Sequence, residues 1–380
     1  MDNAIPYGKQ NITDSDIEAV IAALKSDFLT QGPLVAQFEK EFAEYIGCKF
    51  AVAVANGTAA LHLCALALNV KPGEKVITTP ITFSASANCV RYCGGEVIFA
   101  DIDKDSFLID FDKVENLLKF DKEIKGIIPV DFAGNAVDLE KLRTLANQYG
   151  CWIIEDSCHS PGGYFTDSKG NKQHCGNGNF ADLAIFSFHP VKHIATGEGG
   201  MITTNDAALY QRLLKLRTHG ITKDPSLMTK NEGGWYMEMQ ELGYNYRIPD
   251  VLCALGLSQL QRAESGLEAR KVIAKRYDVA FANTAIKTPK YKEGHAFHLY
   301  VIQVENRLGL YNYLKENNIY VQVHYIPVHT MPYYQNLGHK SGDFPIAEKY
   351  YENCLSIPMY PTLKEEEQNY VIEKIKEYIK

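Results

Sequence analysis

The sequence predicts an α/β protein in which a large, mainly parallel sheet is covered by helices and followed by a smaller α+β domain. Three observations predict it. From residue 51 to 204, short apolar runs alternate with segments of helical periodicity, the pattern of a parallel sheet with helices on both faces. Beyond about residue 282 the alternation resumes with shorter elements. The 380 residues, 46% hydrophobic and 22% charged, are enough for one large or two medium cores. The division is placed between an arm plus large domain over 1–249 and a linking helix plus small domain over 250–380.

Taken in order, residues 5–10 read as an extended arm. Residues 14–25 form a helix with Ile17, Val20, Ile21 and Leu24 on one face. A loop marked by Gly32 and Pro33 precedes a helix at 35–45. Strands follow at 51–55, 76–79, 96–101, 126–130 and 151–155, separated by helices near 58–69, 82–93, 112–119 and 138–149. Residues 162–182, rich in Gly, Asn and Lys, read as a looped excursion, and 206–220 as a helix. Residues 221–241 lack apolar periodicity and are expected to be a long mobile loop. A single long helix is expected over 249–282. Then come a strand at 298–304, a helix at 307–317, a strand at 320–323 and helices at 344–354 and 365–380. No internal repeat or low-complexity tract interrupts the pattern.

A net charge of -7 argues against a nucleic-acid binder, so an anionic substrate must be met by local positive charge. Arg217, Lys223, Lys230 and Arg247 are the candidates, the arginines ahead because they bind bidentately; both lysines read better as solvated charges. The nine cysteines are scattered, odd in number and without Cys-x-x-Cys spacing, which reads as buried thiols in a reducing compartment. No basic stretch leads into an apolar one at the start, and nowhere do about 18 apolar residues run together, so the expected location is the cytoplasm, with no membrane contact.

The chemistry centres on residues 185–200, where an apolar run ends in Ser187, Lys192 follows, and Gly-Glu-Gly-Gly leads into a second apolar run. A lysine in a turn between buried segments is desolvated, which lowers its pKa toward a usable amine nucleophile. The plain alternative is a lysine that snorkels to water. An amine of this kind most often anchors pyridoxal 5′-phosphate, which also needs a carboxylate for its ring nitrogen, a phosphate cradle and a stacking face. Asp156 ends an apolar run and supplies the carboxylate, unless it merely caps a helix. Asn56-Gly57-Thr58 turns a strand into a helix whose free amides and dipole would face a phosphate, unless it is an ordinary capped turn. Ser187 offers a second hydroxyl, and Phe83 could cover the ring, though such a phenylalanine is more often core. Farther on, His324, Tyr325 and His329 cluster in a Pro-bounded loop of the kind that suits a sugar pocket. A metal reading of the two histidines lacks an acidic or Cys ligand, and no metal is expected.

Six stretches occur together and in order: Asn-Gly-Thr-Ala-Ala-Leu (56–61), Thr-Pro-Ile-Thr-Phe (79–83), Glu-Asp-Ser-Cys-His-Ser (155–160), Ser-Phe-His-Pro-Val-Lys (187–192), Gly-Glu-Gly-Gly (197–200) and Gly-Tyr-Asn-Tyr-Arg (243–247). With them, nearly the whole chain resembles the nucleotide-sugar aminotransferases of the type I pyridoxal-phosphate transferase fold. The resemblance implies Lys192 as the Schiff-base lysine, Asp156 as the ring-nitrogen carboxylate and His159 as partner of the ring hydroxyl. It implies Gly57, Thr58, Ala59 and Ser187 on the phosphate side. Asn245 would reach the phosphate from a neighbouring subunit, so a homodimer with the active site at its interface is expected. Tyr7, Asp27, Phe28, Leu29 and Thr30 are implied around the sugar nucleotide, where Arg247 is the cation suspected above; the plain reading of the arm and loop residues is dimer packing or solvent exposure, and that of Arg247 a solvated charge.

The function implied is transfer of an amino group from L-glutamate to a keto sugar. Lys192 acts as general base and acid, and the two substrates use one site in turn, so ping-pong kinetics are expected. Ile-Pro-Tyr-Gly-Lys-Gln (5–10), Leu-Thr-Gln-Gly-Pro (29–33) and Gln-Val-His-Tyr-Ile-Pro (322–327) most resemble family members that act at C4 of a UDP-linked 4-keto-6-deoxy-N-acetylhexosamine in pseudaminic-acid biosynthesis. Relatives acting on TDP- or GDP-sugars are the alternative. A pyridoxal-phosphate sugar dehydratase is a further one, since those replace the lysine with histidine and His193 is adjacent.

Overall fold

The computed structural model describes residues 4–290 and 292–380. Its centre is a seven-stranded sheet in the order Phe50–Val54, Gly200–Thr204, Leu183–Ser187, Trp152–Asp156, Ile124–Ile128, Lys75–Thr78, Glu96–Phe99. All run parallel except Gly200–Thr204, which is antiparallel to both of its neighbours. These strands read as continuous apolar runs because both faces are covered, and successive side chains enter different cores. Val52, Ile154 and Ile185 face one core with helices Gly57–Ala67, Ala85–Tyr92 and Ala207–Arg217. Ala53, Phe186 and Met201 face Phe38 and Phe42 of helix Pro33–Ile46. Ile77, Ile127 and Ile153 face helices Phe111–Phe120 and Leu139–Tyr149.

The carboxyl ends of the parallel strands meet along one edge. Asn56 follows the first strand, Thr82 and Phe83 follow Lys75–Thr78, Val130 follows Ile124–Ile128, and Asp156 and Ser187 are themselves terminal strand residues. In open parallel sheets ligands gather at this edge.

Four expectations change. Residues 221–241 are not a free loop. Ile221–Thr222 pairs antiparallel with Glu238–Met239, and the Glu238 carboxylate accepts the Thr229 amide at 2.9 Å, the Thr229 hydroxyl at 2.8 Å and the Lys230 amide at 3.1 Å. The expected helix over 249–282 is two, Asp250–Leu260 and Ala263–Phe281. The first packs against Asp14–Leu24 and Pro33–Ile46. Residues 162–182 contain a hairpin of Tyr164–Thr166 with Lys172–His174. Finally, Cys354–Ile357 is a strand paired with Tyr300–Gln303, where the sequence reading ended a helix.

The C-terminal part has its own core, in which Tyr277, Phe281, Tyr300, Leu314, Leu355 and Val371 are buried. Ile5 joins it, because the arm Ile5–Pro6 pairs in parallel with Ile319–Tyr320.

Candidate active site

The site grows out of that strand edge. Asn56, in extended conformation, caps helix Gly57–Ala67 by accepting the Ala59 amide at 2.8 Å. Gly57 and Thr58 then open a cavity of about 450 Å³ with the positive end of the helix toward it. Close approach is built in. A Cβ on Gly57 would lie 3.1 Å from Ser187 Cβ, and one on Gly200 would lie 2.7 Å from the Asn56 carbonyl. The glycines at these places let the helix start nestle against the strand that carries Ser187.

Lys192 comes from the loop between Leu183–Ser187 and Gly200–Thr204. The Phe188 amide donates to Gly199 O at 2.8 Å, the Thr196 amide to Phe188 O at 2.9 Å and the Lys192 amide to His189 O at 2.8 Å, so the loop is closed on itself. The Lys192 side chain lines the cavity with its amine 3.5 Å from His298 Nε2. Burial lowers the amine's pKa; Cys158 and Asp156 act to raise it, and Arg270 lowers it.

Asp156 is 5% exposed and lines the cavity. Ser86 Oγ donates to its Oδ2 at 2.7 Å, Ser86 exchanges a 2.8 Å bond with Thr82 Oγ1, and the Cys158 amide donates to Oδ1 at 3.2 Å. His159 Nδ1 accepts the Ala133 amide at 3.2 Å, and burial, reinforced by the Lys192 charge, holds the ring neutral. The ring proton therefore sits on Nε2 and is donated to Tyr325 Oη at 3.1 Å, leaving the Tyr325 hydroxyl hydrogen free to donate. His324, joined to Tyr325 by a cis peptide, contacts Ser356 Oγ through Nδ1 at 2.8 Å and lies 5.2 Å from the Tyr7 ring; burial, with Lys192, lowers its pKa to about 3.

One cavity thus brings together Tyr7, Gly57, Thr58, Phe83, Asp156, His159, Ser187, Lys192, His324 and Tyr325. Phe83 is 61% exposed at its mouth, so it overhangs the opening instead of filling core. Ala59 lies one step behind the helix start, with its amide already taken by Asn56. Asp27, Phe28, Leu29 and Thr30 lie elsewhere, exposed beside helix Asp14–Leu24. Asn245 is exposed and Arg247 half-buried, both outside the cavity of this subunit. His329 corrects the sequence reading: it is fully buried, packs on Phe344 and Phe99, and pairs with Glu348 Oε1 at 3.0 Å, so it belongs to the core under the loop. Arg217 is likewise committed, donating to Glu39 at 2.5 Å and to Ala53 O at 2.7 Å.

Ser86, Thr82 and His298 are site residues that the sequence reading missed. Thr82 and Ser86, four apart at a helix start, carry a signal of sorts, since that spacing places them on one face. His298 has none; it arrives from the segment just before strand Tyr300–Gln303, more than a hundred residues from Lys192.

Behind Asp156 lies a second acidic group. Asp131, Glu155 and Cys175 are buried with their ligand-type atoms within 4.8 Å of one another. Asp131 accepts from Ser160 Oγ at 2.7 Å and the Val137 amide at 2.9 Å, and Glu155 accepts the Gly176 amide at 2.9 Å. Burial, with Asp131 as neighbour, pushes the Glu155 carboxyl well above the usual carboxylate range, so the two acids share a proton.

Residues 10–376 match the DegT/DnrJ/EryC1/StrS aminotransferase family. The spore coat polysaccharide biosynthesis protein SpsC of Bacillus subtilis is 39% identical, covering 99% of this chain and 97% of the relative. A Campylobacter jejuni UDP-4-amino-4,6-dideoxy-N-acetyl-beta-L-altrosamine transaminase is also 39% identical, covering 97% of this chain and 95% of its own. Among solved structures, Helicobacter pylori PseC, an aminotransferase involved in the biosynthesis of pseudoaminic acid, superposes with a TM-score of 0.90 at 29% identity over 99% of both chains. The PLP-form of Spr1654 from Streptococcus pneumoniae superposes with a TM-score of 0.89 at 30% identity over 98% of both.

Proposed function

This chain belongs to the DegT/DnrJ/EryC1/StrS aminotransferase family, and from that premise we propose that it transfers an amino group from L-glutamate to C4 of a UDP-linked 4-keto-6-deoxy-N-acetylhexosamine, with pyridoxal 5′-phosphate as the carrier. The observation that carries this is the convergence of Lys192, Asp156 and the Gly57–Thr58/Ser187 cradle on one cavity. The residues fit the cofactor. The cradle is so tight that a side chain at Gly57 would crowd Ser187, and it presents amides, hydroxyls and a helix dipole to a phosphate. Asp156, buried and held by Ser86, can pair with a protonated ring nitrogen. Phe83 overhangs the space between. When bound, the cofactor supplies a carbonyl that takes up amines covalently and a ring that accepts electrons from the carbon losing its proton.

Each protein group then has a task. Lys192 Nζ, whose desolvation favours the uncharged amine, takes the proton from the donor's α-carbon and returns it on the opposite half-reaction. Asp156 keeps a positive ring nitrogen in place through charge pairing, and Ser86 fixes the carboxylate's orientation. The Tyr325 hydroxyl, with its oxygen already occupied by His159, donates into the site. His193 is not in a position to replace Lys192: it points away, to Ala296 O at 2.8 Å, which weighs against the dehydratase alternative.

The pseudaminic-acid assignment draws on the Campylobacter relative and PseC, while SpsC at equal identity keeps other sugars in view. The active unit we infer is a homodimer. Asn245 and Arg247 lie outside this subunit's cavity, and nearby Trp235, Met239 and Leu242 are 78%, 62% and 72% exposed, an apolar surface that a second copy would cover. Among the described residues no helix is long and apolar enough to cross a membrane.

The test is turnover with L-glutamate against UDP-, TDP- and GDP-linked 4-keto-6-deoxy sugars, with Lys192→Ala as the blank. Oxoglutarate formed only with the UDP-linked N-acetylhexosamine supports the full assignment. Preference for a TDP- or GDP-sugar keeps the chemistry and moves the pathway. No oxoglutarate with any sugar, from protein that holds the cofactor, overturns it. Mixing Lys192→Ala with Asn245→Ala subunits and recovering activity would support the shared site; no recovery from mixed dimers would refute it.

A further inference from the structure

We propose that His62 and Tyr246 are a positioning pair for Asn245: a hydrogen bond, anchored on the helix of one subunit's own phosphate cradle, that keeps Asn245 facing outward for the cavity of a second subunit. The inference deepens the reading of Asn245 as a group shared across a homodimer and rests on it.

Asn245 lies in a short extended segment. The Tyr244 amide donates to Leu216 O at 2.7 Å, the His219 amide to Tyr244 O at 2.9 Å and the Tyr246 amide to Arg217 O at 3.1 Å, which sets Asn245 opposite Thr218 in an antiparallel bridge. Side chains alternate along such a segment, so Tyr244 and Tyr246 share one face and Asn245 takes the other. Burial agrees: both tyrosines pack against the core that includes Leu61 and Cys64, and Asn245 is exposed. A slip of one residue would turn Asn245 inward, and so short a ladder does not fix its register by backbone bonds alone.

The side chains fix it. Tyr244 and Tyr246 stack with ring centroids 5.1 Å apart, and His62 meets both, edge-on to Tyr244 at 4.9 Å and tilted to Tyr246 at 5.9 Å. His62 Nδ1 and Tyr246 Oη share a hydrogen bond at 3.1 Å, while His62 Nε2 is buried with no partner among the described residues. His62 is 6% exposed, in a run over 59–65 that is otherwise Ala, Leu and Cys. An apolar residue there would leave no buried polar atom unpaired, so the imidazole calls for a reason. The bond to Tyr246 supplies one. A slip would put Asn245 or Arg247 in the place of Tyr246 and break it.

The main chain ties down both ends. Gly243 passes so close to Gly220 that a side chain on it would strike the Gly220 backbone, which fixes the segment's entry. Beyond Asn245, the Ala55 amide donates to Tyr246 O at 2.8 Å. Ala55 directly precedes Asn56, and His62 lies on the helix that Asn56 caps. The footing of the asparagine offered to one site is therefore the cradle of the other.

The test reads the hold on the cofactor apart from turnover. The full-length protein is dialysed to equilibrium with pyridoxamine 5′-phosphate, which makes no covalent bond to Lys192, and the dissociation constant is measured for single and double variants. We expect Asn245→Ala to raise it about 10-fold, the loss of a hydrogen bond to a charged phosphate. Tyr246→Phe, which removes one oxygen and keeps the ring, and His62→Phe should each raise it about threefold or more. Added to Asn245→Ala, either should change the constant by less than about 1.5-fold, because the pair acts through Asn245. Effects that multiply would overturn the proposal and place the pair's role in its own cradle helix. So would Tyr246→Phe and His62→Phe proteins that bind like wild type while Asn245→Ala binds weakly. Wild-type binding by Asn245→Ala removes the shared-site reading and the pair's role together. Failure of turnover with every sugar leaves these constants standing.

Discussion

The two halves of the cavity's surroundings are built differently. The inner half, Gly57, Asp156, Ser187 and Lys192, sits on the carboxyl edge of one buried sheet, each group at the last residue of a strand or a few residues past one. The outer half, Asp27 to Thr30 with Asn245 and Arg247, lies on exposed or half-exposed segments that do not reach the cavity of the same subunit. The sheet places the inner groups whether or not anything is bound. The outer groups need a partner, a ligand or both. On the function proposed above, the contrast separates the groups that would carry the amino transfer from those that would select the sugar.

The sharpest way to break this division is Lys192→Ala. It should lower oxoglutarate formation by about 10³-fold or more while leaving the thermal unfolding midpoint near wild type, because the loop is closed by its own backbone bonds. Activity above a tenth of wild type would dislodge the inner half from the chemistry. Asp156→Asn comes next, with an expected loss of about 10²-fold in kcat and altered cofactor absorbance, since a neutral amide cannot pair with a charged ring nitrogen. An unchanged spectrum would contradict that pairing.

The outer half should respond in affinity and hardly in rate. Arg247→Ala is expected to raise KM for the nucleotide sugar about 10-fold with kcat within about twofold, the pattern of lost ground-state binding. A fall in kcat with KM unchanged would move Arg247 into the inner group.

The smallest effect concerns the shared proton behind Asp156. Unfolded, Glu155 loses its proton in the ordinary carboxyl range, while the folded protein retains it to higher pH. Above that range the unfolded chain binds fewer protons, so stability must fall as pH rises until the folded pair also ionises. Glu155→Gln should flatten this slope in urea unfolding measured across the pH series. A steeper alkaline loss in the variant than in wild type would argue against a shared proton.

Legibility in the sequence follows the same line. The strand ends were readable because an apolar run that stops at Asp156 or Ser187 announces both the strand and its exit. Lys192 was readable from the loop those strands bracket. His298 was not, because its value lies in a contact between a C-terminal strand region and the lysine loop, and no local pattern encodes it. His329 misled for the complementary reason. A histidine among tyrosines and prolines looks the same whether it faces a pocket or, as here, a glutamate inside the core. The 221–241 segment looked free because its order comes from a two-residue strand pairing at its ends and from one carboxylate, Glu238, that gathers the amides of Thr229 and Lys230.

The pairing of Ile5–Pro6 with Ile319–Tyr320 also has a consequence for how the molecule is made. Ile5 and Pro6 find their strand partner only after some 314 further positions have been translated, about 15–60 s later at ordinary elongation rates. By then the strands from Phe50 to Thr204 have all emerged and can have assembled the lysine edge. Tyr7 takes its place beside His324 only when the last third of the chain arrives, so a nascent or truncated protein can carry a finished sheet and still have an open site.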